Sequence, residues 1–251
     1  MSDFNRGYPR SMQAGVADMS VDAGLRAFML GVYNKVALGL LLSAAMAYVT
    51  SSVPAVTNLL YRVTSDGRLV GVTGLGTVVA FAPLAILLFS SFAMRSITPR
   101  TSGIIYWSIV ALIGASMGTL VLLYTGASVA STFLITAASF GALSLVGYTT
   151  KKDLTGFGSF LIMGLFGLII AMLVNMFLHS AAMALIVNLI GVLIFAGLIA
   201  YDTQRLKATY YNLGGDASAL GVATNYGALS LYLDFINLFQ FLLYFMGGSR
   251  R

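Results

Sequence analysis

The chain has 251 residues, of which 59% are hydrophobic and only 9% are charged, and this composition is far too apolar for a soluble globular domain. It contains no cysteine, which excludes disulfides, thiolate metal sites and cysteine nucleophiles. The net charge of +6 does not indicate nucleic-acid binding, because the basic residues lie in short loops between apolar segments rather than in one stripe. The composition therefore predicts a polytopic membrane protein.

The apolar segments begin after a polar N-terminal stretch. Residues 1–26 carry six charged side chains and no apolar run, so we predict a partly disordered cytoplasmic tail there. Seven apolar segments of spanning length follow. They are Ala27–Thr50, Gly71–Met94, Gly103–Tyr124, Ala127–Tyr148, Phe157–Leu178, Ala181–Tyr201 and Tyr226–Met246. This pattern predicts an all-α membrane domain over residues 27–251 with seven transmembrane helices.

The distribution of basic residues predicts the orientation of these helices. With the N-terminus in the cytoplasm, nine Lys and Arg residues fall on the cytoplasmic side and four on the other. Lys35 lies within the first helix and belongs to neither count. The positive-inside rule therefore favours a cytoplasmic N-terminus.

Small residues in the third segment predict close packing between helices. Gly114 and Gly118 are four residues apart and form a small-xxx-small pair. Lipid gives no hydrophobic drive between helices, so their association depends on close backbone approach at such positions. We assign both glycines to packing rather than to chemistry.

Asp234 is an acid inside the predicted seventh helix, about eight residues or roughly 12 Å from its cytoplasmic end. A central Asp costs about 2.5–3.5 kcal/mol on insertion scales, so it is expected to face the bundle interior and to find a partner. Ser230, Asp234 and Asn237 are spaced by four and three residues and fall on one helical face. This polar stripe is a candidate pore wall. The alternative is a polar seam that holds the helix in the bundle.

Asp202, in the sequence AYDTQRLK, is the second candidate. It lies at the end of the sixth helix with Arg205 three residues on, so an ordinary exposed ion pair is the alternative interpretation. Helices two and six end, and helix seven begins, on the cytoplasmic side. Arg95, Asp202 and Asp234 therefore all fall in the cytoplasmic half, where an acid pair with a nearby arginine is geometrically possible.

Three motifs resemble the Bax inhibitor-1 family, also called the transmembrane Bax inhibitor motif family, with the bacterial branch nearest. They are GYTTKKDLTG at 147–156, AYDTQRLK at 200–207 and ALSLYLDFINLF at 228–239. The resemblance extends from about Arg26 to the C-terminus, and it implies a central last helix wrapped by the other six and a pH-sensitive calcium leak. It also implies that Asp202 and Asp234 form a hydrogen-bonded carboxyl pair in the pore, and that Arg95 is a latch that pairs with Asp202.

The chemistry of such a pair fits this function. Two carboxyls held close in a site with little water do not both ionise cheaply, so they tend to share a proton and respond to physiological pH. Calcium is a hard cation, and Asp202 and Asp234 with Ser230, Asn237 and backbone carbonyls offer a weak, transient site of the kind that conduction requires. We therefore expect a calcium leak channel gated by the Asp pair, without a cofactor and without enzymatic activity. The expected partners are the bilayer, in a bacterial inner membrane, and calcium ions, with no nucleic acid.

Two other functions stay open at this point. One is a membrane-embedded regulatory protein that acts on partner proteins without a flux of its own, as the cell-death suppression by family members suggests. The other is an intramembrane aspartyl protease, which also uses two acids to activate water. However, residues 231–233 occupy the place where those proteases have Gly-x-Gly before the second Asp, and the chain has no Pro-Ala-Leu motif.

Overall fold

The computed structural model describes the backbone of residues 11–64, 67–92 and 97–248. Within these residues the chain forms nine helices and two short strands. They are α1 (Ser11–Ser52), α2 (Pro54–Leu60), β1 (Tyr61–Val63), β2 (Leu69–Val72), α3 (Gly74–Phe92), α4 (Pro99–Ser116), α5 (Gly118–Leu123), α6 (Gly126–Thr149), α7 (Thr155–Leu178), α8 (Ala181–Asn212) and α9 (Ala217–Met246). Helices dominate because a helix satisfies its backbone hydrogen bonds internally, as a lipid environment demands.

Six segments of the described chain are long and apolar enough to cross a membrane. They are Ala23–Ser52, Pro99–Leu123, Gly126–Thr149, Thr155–Leu178, Ala181–Asn212 and Ala217–Met246. The predicted second span corresponds to α3, which contains Pro83 and whose apolar part, Gly74–Ser90, is shorter than the others. Residues 93–96 lie outside the described part. In the part of the chain that the structure describes, the count is therefore six rather than the predicted seven.

Several helices extend beyond their predicted ends. Helix α1 begins at Ser11, within the segment predicted to be a tail, and α8 continues past Tyr201 to Asn212. Helix α9 begins at Ala217 rather than at Tyr226, so most of the predicted connection between the last two helices is helical. Hydropathy marks where a helix leaves the apolar region and does not mark where the helix ends. The helices α1, α8 and α9 are therefore longer than the apolar segments that predicted them.

The turn between α8 and α9 is defined by local chemistry. Gly214 and Gly215 adopt positive φ angles of 58° and 89°, which other residues rarely take. The Asp216 side chain then caps α9 by accepting hydrogen bonds from the backbone N–H groups of Ser218 and Ala219 at 2.8 and 3.1 Å. The two helices consequently run back along each other with a connection of four residues.

A β-hairpin between α2 and α3 departs from the predicted all-α class. Strands β1 and β2 pair antiparallel, and Tyr61 faces Val72. Gly67 turns the chain with a φ of 76°. The sequence YRVTSDGRLVGV contains β-branched residues on both sides of an Asp-Gly pair, which is a short-range hairpin pattern. A prediction based on apolar segments alone passes over this pattern.

Helix α9 packs against four neighbours, namely α1, α4, α6 and α8. In its most apolar window 56% of the residues are buried, against 11% for α7, which packs mainly on α8. The buried side chains of α9 include Leu231, Tyr232, Phe235 and Leu243. The helix that carries Asp234 is therefore the most buried of the six apolar helices in the described part of the chain.

The predicted packing glycines lie where α4 and α5 meet α1. A methyl group added at Gly114 would approach the Ser43 Cα of α1 to 2.5 Å, and one added at Gly118 would collide with the Thr50 hydroxyl. Ser43 and Thr50 each donate a hydrogen bond to a backbone carbonyl of α4, at 3.1 Å in both cases. The packing prediction is confirmed, because only glycine allows this separation of the two backbones.

The ends of the bundle differ in charge. We call one of them the basic end; there α8 finishes, α9 begins, and residues 150–154 connect α6 to α7. It carries Arg100, Lys151, Lys152, Arg205 and Lys207. At the opposite end, Gly248 donates to Ser128 Oγ at 3.0 Å and accepts from the Thr125 N–H at 3.2 Å. Helix α9 therefore runs the whole length of the bundle and does not turn back.

Candidate functional site

The candidate site lies where α8 and α9 pack together near the basic end. Gly227 of α9 rests against the Leu206 side chain of α8, and a methyl group added there would collide with it. This close approach brings Asp202 of α8 next to the α9 face that carries Ser230 and Asp234. Asp202 is 5% exposed and Asp234 is 6% exposed.

Asp202 is held by two side chains, which together with it form a group that we call the aspartate cluster (Asp202, Arg205 and Ser230). Ser230 Oγ donates a hydrogen bond to Asp202 Oδ2. Arg205 Nη2 forms an ion pair with Asp202 Oδ1 at 3.2 Å and donates to Ser230 Oγ at 3.1 Å. The predicted ion pair between Asp202 and Arg205 therefore exists, but its acid is buried, and the arginine side chain remains 47% exposed.

Asp234 lies one helical turn beyond Ser230. Its carboxyl interacts electrostatically with the Asp202 carboxyl and with the Arg205 guanidinium. Its Oδ2 atom is buried and has no hydrogen-bond partner among the described residues. A buried oxygen without a partner costs about 1–3 kcal/mol, so it calls for a physical explanation such as a water or an ion.

Asp234 opens into a space between α7, α8 and α9 that we call the deep cavity, with a volume of about 500 Å³. Its lining residues with polar groups are Asn188, Ser230, Asp234, Asn237, Gln240 and Tyr244. Most of the remaining lining is aliphatic or aromatic, and α7 contributes only apolar side chains. The predicted stripe of Ser230, Asp234 and Asn237 therefore forms the polar wall of one cavity.

A second space, the basic-end cavity, lies between α3, α8 and α9 and has a volume of about 330 Å³. Arg205, Thr209 and Tyr226 contribute its polar groups, together with Ser230. The Tyr226 hydroxyl is buried and finds no hydrogen-bond partner in the described part of the chain. Ser230 and Leu233 line both cavities, so the aspartate cluster lies where the two cavities meet.

The predicted latch, Arg95, lies outside the described residues, so its contact with Asp202 stays a prediction. The arginine that the structure places on Asp202 is Arg205. The sequence contained this contact, because residues three apart meet on a helix surface. Burial of the Asp202 carboxyl depends on the packing of α9 against α8. The interpretation as an exposed ion pair could not anticipate it.

Two lining residues of the deep cavity were missed. Gln240 follows Asn237 by three residues and extends the predicted stripe, so continued helical spacing could have identified it. Asn188 comes from α8 and joins the cavity only through the packing of α8 on α9. The sequence contains no pattern that pairs these two helices at that depth.

The oxygen atoms at this site suit a weakly bound hard cation. Among the described residues, no group of three or more His, Cys, Asp or Glu side chains comes together. The Asp234 carboxyl and the amide oxygens that line the deep cavity are instead the ligand types that Ca²⁺ takes in flexible, partly hydrated sites.

Comparison with known proteins identifies the family. The sequence model of the family described as "Inhibitor of apoptosis-promoting Bax1" matches residues 25–251. The chain belongs to this Bax inhibitor family. Helices α1 to α9 and both aspartates all lie within the match, except for the first part of α1. With six apolar helices among the described residues, the chain is a multi-pass integral membrane protein.

Related proteins occur across several bacteria. An uncharacterized protein of Caulobacter vibrioides is 67% identical over 250 residues, which cover 100% of both chains. An uncharacterized protein of Rickettsia prowazekii is 43% identical over 97% of this chain and 98% of its own. The protein named inner membrane protein YbhL of Escherichia coli is 42% identical over 91% of this chain and 94% of its own. The resemblance seen in the three sequence motifs thus extends over nearly the whole chain.

Proposed function

We propose that this protein is a pH-sensitive calcium leak channel in which the Asp202 and Asp234 carboxyls gate a path along α9. The supporting observation is that the buried Asp234 carboxyl lines the deep cavity, while Ser230, which donates a hydrogen bond to Asp202, lines both cavities. The proposed activity is passive transport rather than catalysis, with calcium as the permeant ion and no resident cofactor.

The acid pair supplies the sensitivity to pH. Two neighbouring carboxyls in a site with little water tend to hold a proton between them, because two adjacent negative charges repel strongly there. When the proton leaves, the second charge must be balanced by Arg205 or by a cation. The proton and calcium therefore compete for the same oxygen atoms.

The two cavities supply the path. In the deep cavity, carboxyl and amide oxygens replace part of the ion's hydration shell, and the basic-end cavity adds the hydroxyls of Thr209 and Tyr226. The aspartate cluster and Leu233 separate them. The closed state then corresponds to the ion pair between Asp202 and Arg205, and opening requires this contact to break.

The proposal includes the finer features of the fold and the location. Leu87 of α3 lines the basic-end cavity, so α3 reaches the basic end and supports a seventh crossing around a central α9. The excess of basic residues at that end supports a cytoplasmic N-terminus. The name of the Escherichia coli relative supports an inner-membrane location.

The test is calcium efflux from proteoliposomes that contain the purified chain. We expect the wild-type leak to change between about pH 5 and pH 8, and Asp234→Asn to leak at a rate that no longer follows pH, because a neutral amide cannot exchange the shared proton.

Asp216→Asn is the matched control, since it makes the same substitution at an exposed acid that lines neither cavity, and asparagine caps a helix about as well as aspartate does. It is expected to keep the wild-type pH profile. An Asp234→Asn profile that matches wild type would refute a gating role of this pair. Vesicles containing wild type that leak no faster than empty ones would refute the channel itself.

A further inference from the structure

A small pocket at the basic end lies outside the proposed path. It occupies about 320 Å³ between the connection from α6 to α7 and the last turns of α8. The charged residues that line it are Lys151, Lys152, Asp153 and Arg205. We call it the loop pocket. Arg205 belongs to the loop pocket, the basic-end cavity and the aspartate cluster at once.

The loop pocket has an excess of positive charge. Its one acid, Asp153, is engaged locally, because Asp153 Oδ1 accepts hydrogen bonds from the Thr155 N–H at 2.9 Å and from Thr155 Oγ1 at 2.6 Å. These hydrogen bonds hold the pKa of Asp153 below its usual value, so the acid remains ionised and bound to Thr155. The ammonium groups of Lys151 and Lys152 are left exposed in a pocket whose net charge suits an anion.

The shape of the loop pocket is fixed by Gln204 of α8. Gln204 Nε2 donates to the Lys152 carbonyl at 2.8 Å, and Gln204 Oε1 accepts from the Leu154 N–H at 2.8 Å. The connection is thus fastened to α8 by both atoms of one amide. Tyr201 forms the base, and its ring lies 5.6 Å from the Arg205 guanidinium carbon. The three cations are therefore presented by a structured site rather than by a free loop.

The depth of the loop pocket corresponds to lipid headgroups. Tyr201 lies twenty residues after the start of α8, which at 1.5 Å per residue is about 30 Å, one hydrocarbon thickness. One turn of α8 before Tyr201, a methyl group added at Gly197 would lie 3.2 Å from the ring of Phe157 in α7, a residue that is 48% exposed. An apolar surface that faces the acyl chains thus lies next to a basic pocket at headgroup level.

We propose that the loop pocket binds the phosphate of an anionic phospholipid, and that this phosphate draws Arg205 away from Asp202. Arginine pairs with phosphate oxygens as readily as with carboxylate oxygens. The exposed half of its guanidinium side chain is available to a ligand in the pocket. The effect on Asp202 rests on the proposed function, whereas the binding of the lipid does not.

The binding part is tested by native mass spectrometry of the full chain, with phosphatidylglycerol, phosphatidylcholine or inorganic phosphate added. Wild type is expected to retain phosphatidylglycerol in preference to phosphatidylcholine. The double variant Lys151→Gln/Lys152→Gln is expected to bind phosphatidylglycerol about tenfold or more weakly, since each basic residue near an anionic lipid contributes about 1 kcal/mol. The double variant Arg62→Gln/Arg68→Gln removes two exposed charges at the opposite end and is expected to retain wild-type binding.

Equal phosphatidylglycerol binding by wild type and by Lys151→Gln/Lys152→Gln would overturn the site. Displacement of the lipid by inorganic phosphate at similar concentration would overturn the lipid as its occupant and assign the pocket to free phosphate.

The effect on Arg205 is tested by calcium efflux from phosphatidylcholine vesicles with and without phosphatidylglycerol. The ratio of the two rates is expected to exceed one for wild type and to approach one for Lys151→Gln/Lys152→Gln. If wild type binds phosphatidylglycerol but its ratio equals that of the double variant, the proposed coupling to Arg205 is overturned. Absence of any wild-type leak would refute the proposed function and leave the binding result intact.

Discussion

The two cavities along α9 share Ser230 and Leu233, yet they differ in charge. The basic-end cavity is lined by the Arg205 side chain and by hydroxyl groups. The deep cavity is lined by the Asp234 carboxyl and three amide side chains, and its lining, as far as the structure describes it, includes no basic residue. A cation is therefore attracted into the deep cavity and repelled from the basic-end cavity.

This difference locates the barrier to conduction. The sign of the charge changes at the aspartate cluster, where Arg205 is balanced by Asp202. A cation that leaves the deep cavity must pass this arginine, and the height of that barrier depends on whether Asp202 carries its negative charge. The barrier therefore depends on the charges of Arg205 and Asp202 at least as much as on the width of the pore.

Leu233→Ala is expected to have the largest effect, because Leu233 lines both cavities and its removal joins them. Calcium efflux is expected to rise by about tenfold or more at every pH, since an apolar constriction is lost. Leu165→Ala removes the same atoms from the wall of the deep cavity alone and is the matched control. Similar rates for the two variants would show that the cavities are not separated at Leu233.

Arg205→Gln is expected to have the next largest effect. It removes the cation from the basic-end cavity and breaks the ion pair with Asp202, so efflux is expected to rise several-fold, which is about 1 kcal/mol in the barrier. Arg205→Lys keeps the charge but loses the planar guanidinium whose nitrogen contacts both Asp202 and Ser230, and an intermediate rate is expected. A Lys variant that leaks as fast as the Gln variant would show that the geometry of the contact matters and its charge does not.

Asn237→Ala is expected to have the smallest effect. Its amide nitrogen donates to the Leu233 carbonyl of its own helix at 2.8 Å, so the side chain is partly engaged away from the path. Efflux is expected to change by less than about twofold, because one weak oxygen ligand among several is lost. A larger change in efflux than that of Arg205→Gln would show that the main barrier lies in the deep cavity rather than at the aspartate cluster.

Much of the fold followed from the sequence because lipid makes apolar length a direct measure of a spanning helix. The six apolar spans of the described part show this. Close packing at Gly114 and Gly118 also followed from the sequence, because small residues four apart allow two helices to approach closely. The prediction failed where hydropathy and helix length separate. Helix α8 continues beyond Tyr201 through polar residues, and the Asp-Gly hairpin between α2 and α3 depends on turn chemistry rather than on hydropathy.

The candidate site was partly predictable for a related reason. Helical spacing alone placed Ser230, Asp234 and Asn237 on one face, and these residues line one cavity. Spacing within a helix does not reveal contacts between helices, so the contact of Ser230 with Asp202 and the contribution of Asn188 required the packing of α8 on α9. The role of Arg205 was underestimated because its partner is buried by that same packing.

The most direct test of the central claim is a double-mutant cycle on the two acids, with the pH profile of calcium efflux from proteoliposomes as the measurement. Asp202→Asn, Asp234→Asn and the double variant are compared with wild type under identical conditions. If the carboxyls act as one unit that shares a proton, each single variant abolishes the pH dependence and the double variant changes it no further. Additive effects of the two substitutions, with part of the pH dependence left in each single variant, would contradict the account.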